Sequence, residues 1–223
     1  MKKLFVPIVA LATVLVVMSC KKDDTTKPEI TVPDAALVIE LGDREAAMKD
    51  VKATDDKDGD VAKDVKVEGL DFVGVGNLTY SVKDQAGNES EQVKRKVTIN
   101  SGKLGGTYLC KEIDRDDATE NSFTSVMSPD ASDATKLVVT NLRDEGILVS
   151  FVGNGTSTDL AMISIPINVI DNSVTYPATI SGSAKYKSSS AGYEVYELSY
   201  EIKFDDTSID NWRYITTATK KTN

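Results

Sequence analysis

Through the second half of the chain, apolar and polar residues change places one by one. Val174, Tyr176, Ala178, Ile180, Gly182, Ala184 and Tyr186 fall on one side of such a run, and Thr175, Thr179, Ser181, Ser183, Lys185 and Lys187 on the other. Tyr196, Leu198, Tyr200, Ile202 and Phe204 alternate with Glu197, Ser199, Glu201 and Lys203. Ile147, Val149 and Phe151 repeat the pattern, as do Ile163, Ile165, Ile167 and Val169. Successive side chains of a strand point to opposite faces. A period of two over so many segments therefore predicts antiparallel strands with one buried face. They are expected at 106–113, 121–127, 136–142, 146–152, 160–165, 167–177, 178–187 and 194–204, with 211–218 closing the set. Short connections favour a meander, and closure into a barrel would remove exposed edges.

Residues 28–100 carry shorter β-type runs: Glu29 to Val32, Ala36 to Glu40, Val65 to Glu68, Leu78 to Val82 and Val93 to Ile99. Turn clusters divide them at 41–43, 58–60, 74–77 and 87–88. Short strands with regular turn signals suggest a β-sandwich. Gly87 suits a turn that needs positive φ, and Tyr80 and Val82 share one strand face and are expected inside. The segment 53–60 (Ala-Thr-Asp-Asp-Lys-Asp-Gly-Asp), then 65–69, then 78–88 (Leu-Thr-Tyr-Ser-Val-Lys-Asp-Gln-Ala-Gly-Asn) resembles the bacterial Ig-like domain first noted in a pesticidal crystal protein. That resemblance implies a spacer or presenting module. Gly76-Asn77-Leu78 departs from the Gly-Thr-Tyr step frequent in that family.

Residues 103–223 hold eleven of the fourteen aromatic residues, so composition shifts at the boundary. Gly105-Gly106-Thr107-Tyr108, the 136–142 strand, and the stretches at 163–168, 180–184 and 198–202 resemble the carboxy-terminal β-domain of surface lipoproteins from glycan-foraging Gram-negative bacteria. Such domains are lipocalin-like in their meander. The fold class expected is thus all-β: an Ig-like β-sandwich at 28–100 followed by an antiparallel, barrel-like domain at 103–223.

The first residues have another character. Lys2 and Lys3 precede an apolar run, Leu4 to Val17, and Met18-Ser19-Cys20 ends it. This is the layout of a secretory signal peptide, residues 1–19. The run is shorter than the roughly 20 residues that span a bilayer. Val16-Val17-Met18-Ser19-Cys20 resembles a lipobox, which implies lipid on Cys20 and attachment to the outer membrane at the cell surface. Several acyl chains make such anchoring lasting. Residues 20–27 read as a polar tether. Its acidic pair resembles surface-export signals, and Asp24-Thr25-Thr26 an O-glycosylation site; a plain solvated spacer accounts for both equally well.

Without Lys2 and Lys3, 24 basic side chains face 35 acidic ones, a net charge of −11. So acidic a chain is a poor partner for nucleic acid. It has no histidine, which removes Ser-His-Asp and Cys-His catalysis. With Cys20 used by lipid, Cys110 has no thiol to pair with and is expected as a buried structural residue. The carboxylate pairs Asp116-Asp117 and Asp205-Asp206 are adjacent, whereas a glycosidase holds its two across a cleft. An enzyme is not expected.

Two features invite ligands. Asp56, Asp58 and Asp60 have a spacing that can curl around Ca²⁺. The EF-hand pattern fails, however, with Thr54 at its first position and Val65 at its twelfth, and turn-forming aspartates explain the same letters. Trp212 and Tyr214 share a strand face with Arg213 alongside, and Tyr193 follows the 188–192 turn. Sugars stack on such aromatics, while a Trp on an alternating strand also serves as core. The leading expectation is a non-enzymatic surface lipoprotein that captures glycan, like accessory lipoproteins of polysaccharide-utilisation systems that serve a neighbouring outer-membrane transporter. An adhesion protein with protein partners is the alternative, and a carrier of an apolar ligand inside the barrel is a third.

Overall fold

A computed structural model describes residues 24–171, 173–190 and 192–222. The expected signal segment and Cys20 lie outside these residues. Among the described residues, no helix is long and apolar enough to cross a membrane.

The N-terminal domain contains β1 (Glu29–Thr31), β2 (Leu37–Glu40), α1 (Arg44–Met48), β3 (Lys52–Asp55), β4 (Gly59–Asp60), β5 (Lys66–Glu68), β6 (Gly74–Ser81) and β7 (Val93–Asn100). One sheet has the order β1-β3-β4 and the other β2-β7-β6-β5. β2 runs parallel to β7, and the other pairs are antiparallel. Ile39, Ala53, Leu78, Tyr80, Val82, Val97 and Ile99 are buried. Tyr80 and Val82 are thus inside, as their phase predicts. The buried Tyr80 hydroxyl donates to the Ala47 carbonyl at 2.9 Å and fixes α1 to the sandwich. Asp43 caps that helix by accepting from Ala46 N at 3.0 Å. Five residues are too few for a helical period to show in the sequence. Gly87 has φ +93° in the tight turn between β6 and β7. There the Asn88 side chain donates to Asp84 Oδ2 at 2.7 Å and its amide to Oδ1 at 2.7 Å. Burial pushes the Asp84 carboxyl up, but these bonds outweigh it and hold it below the ordinary range.

The second domain contains β8 (Gly106–Asp114), β9 (Glu120–Pro129), β10 (Lys136–Leu142), β11 (Ile147–Gly153), β12 (Asp159–Met162), β13 (Ile165–Asp171), β14 (Val174–Ser189), β15 (Gly192–Phe204) and β16 (Trp212–Lys220). Every pairing is antiparallel, and all but β16–β8 and β12–β14 join strands consecutive in the chain. β16 pairs with β8 from Tyr214 opposite Asp114 to Lys220 opposite Tyr108. β12 and β13 both lie along β14, so together they fill one strand position. The result is a closed barrel of eight strands.

Two details depart from the alternation. The sequence divides this region at 177/178, after Pro177, but β14 runs unbroken from 174 to 189 and the turn lies before it. Pro177 is tolerated because its carbonyl faces Asp205, which donates to it at 3.1 Å. Its missing N–H points to the same side, beyond Phe204, where the β15 ladder has ended. A register shift between Lys185 and Tyr186 places Val195 opposite Tyr186 and Glu197 opposite Lys185. This bulge reverses the phase. Val195 is fully buried, and Tyr196, expected in the core, is turned to the partly exposed side, with Lys187 Nζ 5.3 Å from its ring.

Side chains fill the barrel. Cys110, Leu137, Val139, Val149, Phe151, Ile180, Ala184 and Leu198 are each 0 % exposed. A side chain without accessible surface borders no void that water could enter. The apolar-carrier reading therefore fails. Cys110 is a buried free thiol, and burial pushes its pKa up, which makes it inert.

The sandwich packs on one end of the barrel through backbone contacts. Gly155 N donates to Val73 O at 3.1 Å, and Ser101 N donates to Ala134 O at 2.8 Å. Tyr186 and Tyr193, both on barrel strands, donate to Asp71: one to its carbonyl at 3.0 Å, the other to Oδ1 at 2.6 Å. Leu104 is fully buried in the short 3₁₀ turn at 102–104 that links the domains, and Tyr108 donates to its carbonyl at 2.8 Å. Gly155 has φ +74°, and a Cβ there would overlap the Val75 carbonyl oxygen. Gly155→Ala should destabilise the protein by about 1–3 kcal/mol from backbone strain alone. In calorimetry, a single unfolding transition in the parent should split into two in the variant.

Candidate functional site

The sandwich covers one end of the barrel, and the connections at 115–119, 143–146 and 205–211 surround the other. Near this free end the inward positions become polar. Tyr108, Cys110 and Glu112 follow one another on the inner face of β8, and Glu112 is 2 % exposed. The Tyr200 hydroxyl donates to Glu112 Oε2, with Thr216 Oγ1 3.5 Å from the same oxygen. Arg143 leaves a tight turn with φ +62° and folds back over these groups. Its Nη1 lies 3.7 Å from Glu112 Oε1, and its Nε donates to Glu145 Oε1 at 3.2 Å. Its guanidinium carbon stands 4.1 Å from the centre of the Tyr214 ring and 5.8 Å from that of Trp212. Flat guanidinium over aromatic faces is favourable, more so where water is excluded.

Further rings stiffen this end. Phe204 meets Trp212 edge-on at 5.0 Å, Tyr176 meets Phe204 at 6.3 Å, and Tyr200 lies 5.3 Å from Tyr214. Burial pushes the Glu112 carboxyl up to about 7, against the pull of Arg143. The direction follows from the geometry. At 3.7 Å the ion pair is loose, and it does not offset the loss of water around a nearly sealed carboxylate.

Outside this layer lies an open hollow of about 640 Å³, lined by Asp114, Asp116, Asp117, Glu201, Asp210, Asn211, Trp212 and Arg213. Arg213 pairs with Asp116 at 2.6 Å, and Asn211 donates to Glu201 Oε1 at 3.2 Å. Trp212 is its aromatic wall, partly exposed on one side and packed on Phe204 on the other.

The residues singled out from sequence thus separate. Trp212 and Tyr214 share the inner face, but Tyr214 is 5 % exposed and lies beneath Arg143. Arg213 is on the outer face and meets Trp212 only at the rim of the hollow. Tyr193 is at the opposite end, bound to Asp71, where it lines a smaller recess of about 440 Å³ with Tyr186 and Tyr196. Asp56, Asp58 and Asp60 do not converge on one point. Asp58 accepts from Gln85 N at 2.7 Å and Asp60 from Ala62 N at 2.9 Å, while Asp56 stands with Asp55 and Asp24. Sequence reasoning missed Glu112 and Arg143. Glu112 carried a signal, since it is in phase with Tyr108 and Cys110. Arg143 carried none, because only the turn's backbone aims it inward.

Glu112 sets a pH dependence. The unfolded chain ionises this group near 4.5, whereas the folded protein keeps it protonated up to about 7. Between those values the folded state binds the additional proton, so stability falls as pH rises through the window. The total is on the order of 3 kcal/mol, and the slope ends above pH 7. Urea unfolding at pH 5 and pH 8 should show this loss, and Glu112→Gln should remove most of it.

Residues 33–99 match the model of a family described as bacterial surface protein, Ig-like domain. No curated protein matches the chain significantly. The match covers less than half of the chain, and it agrees with the two-sheet architecture over those residues: the N-terminal unit is an Ig-like domain of the kind found in bacterial surface proteins.

Proposed function

We propose that this chain is a non-enzymatic lipoprotein, anchored in the outer membrane through Cys20, that captures glycan at the free end of its barrel. Trp212 carries this reading. Its partly exposed indole forms one wall of a hollow whose other groups are carboxylates, an amide and a guanidinium. An indole face stacks on the apolar face of a sugar ring, and the polar groups match its hydroxyls. Phe204 and Arg143 hold the ring before any ligand arrives, which lowers the entropy lost on binding. Glu112, the nearby carboxyl with a raised pKa, is sealed beneath Arg143 and Tyr214, which favours binding over hydrolysis. Captured polysaccharide would pass to a neighbouring outer-membrane transporter.

A second reading, adhesion to a protein, is favoured by Leu109, Ile113 and Val126, which are exposed on the outer faces of β8 and β9. Fluorescence separates the two, because Trp212 is the single tryptophan. Titration with a panel of polysaccharides should shift its emission and give heat in calorimetry. Trp212→Ala should weaken binding at least about tenfold, the loss of a central aromatic anchor, and Tyr193→Phe at the opposite end should leave it unchanged. No heat and no shift across the panel would overturn glycan capture in favour of a protein partner.

A further inference from the structure

The chain entering the Ig-like domain is held more closely than a spacer requires. The Asp24 carbonyl accepts from Asn88 Nδ2 at 3.1 Å, Lys27 pairs with Glu91 at 2.6 Å, and Pro28 is buried. These contacts bring the Asp24 carboxylate to the end of β3. There Asp24, Asp55 and Asp56 each offer an oxygen, and the three oxygens lie within 4.8 Å of one another. Carboxylates this close repel. The nearby cation is Lys57, 3.5 Å from Asp56 Oδ2, and both of those side chains are half exposed.

Asp55 supplies an independent sign of a ligand. It is 9 % exposed. Its Oδ1 accepts from the amides of Lys57 and Asp58, both at 2.9 Å, and so shapes the turn after β3. Its Oδ2 is buried with no hydrogen-bond partner among the described residues. A buried carboxylate oxygen without a donor is strongly unfavourable. Donors already saturate the other oxygen, and two more carboxylates stand beside the group, so a cation is the natural complement.

Three carboxylate oxygens, no more than 4.8 Å apart, can all reach one hard divalent cation. Calcium takes oxygens at about 2.3–2.6 Å, so ligands on opposite sides of it are about 4.8 Å apart. Magnesium keeps more of its water and is usually held through one or two carboxylates, whereas three stand together here. We propose that Asp24, Asp55 and Asp56 bind a calcium-like divalent cation that clasps the segment before β1 to the Ig-like domain. Water completes the shell. Four residue steps separate Asp24 from Cys20, at most about 14 Å of extended chain. If Cys20 carries lipid, as proposed above, the clasp holds the sandwich against the bilayer and limits its tilt. The cation site itself does not depend on that reading.

The test uses the full chain in detergent, stripped with a chelator and titrated with calcium chloride alone. One calcium should bind per chain, and the melting temperature should rise with calcium concentration. Asp24→Asn, at a partly exposed position, should weaken binding at least tenfold and leave the calcium-free melting temperature unchanged. Asp55→Asn should abolish binding, and Asp60→Asn, outside the cluster, should retain it. The proposal is overturned by no heat and no rise in melting temperature up to about 10 mM calcium, well above the weakest affinities of extracellular calcium modules. It is equally overturned if Asp24→Asn binds calcium as tightly as the parent.

Discussion

The ladder between β16 and β8 joins the last strand of the chain to the first strand of its domain, and the barrel depends on it. A sheet left open there would present two rows of unpaired backbone groups. Closure removes both rows, and it also fixes which side chains face inward on every strand. β14 contributes in a second way. At 16 residues it is long enough to hold β12 along one stretch and β13 along the next, so a broken strand still fills one position. The inner face then receives an almost unbroken set of apolar residues, and the few polar ones collect near one mouth around Glu112.

The joint between domains follows from the same geometry. The end of the barrel near the chain's entry is where the β11–β12 and β14–β15 connections lie, and the sandwich fits against them. Gly153 and Gly155 let backbone meet backbone there, because a side chain at either position would occupy the space of Val73 or Val75. Tyr186 and Tyr193 then reach across to a single residue, Asp71. With one end covered in this way, the opposite mouth is left clear of the sandwich, and Arg143 and Trp212 are there.

Much of this was readable from residue order. The faces of β14 up to Tyr186, the burial of Tyr200, Ile202 and Phe204, and the turn at Gly87 follow from alternation and from glycine's freedom. What was not readable depends on single insertions and on contacts distant in sequence. One extra residue on β15 turns Tyr196 outward and Val195 inward, and no local preference announces it. Pro177 reads as a break, yet it sits at the place where a neighbouring ladder has run out. Asp58 and Asp60 look like ligands in a row, but the amides of Gln85 and Ala62 use their oxygens. Asp55, beside them in sequence, instead faces Asp24, some thirty residues away. Arg143 belongs to the same class, since an inward-turning loop residue is placed by its fold and not by its neighbours.

The parallel pairing of β2 with β7 has a mechanical consequence. The chain enters β2 from the N-terminal segment and leaves β7 toward the barrel, and the two strands run in the same direction. A pull applied between the N-terminal segment and the barrel therefore drags β2 and β7 past each other along their length. Their hydrogen bonds, from Leu37 opposite Val97 to Glu40 opposite Asn100, are loaded together in shear and cannot be peeled one at a time. Rupture then requires all of them to yield at once, so the sandwich resists force along the chain far better than a ladder opened from one end.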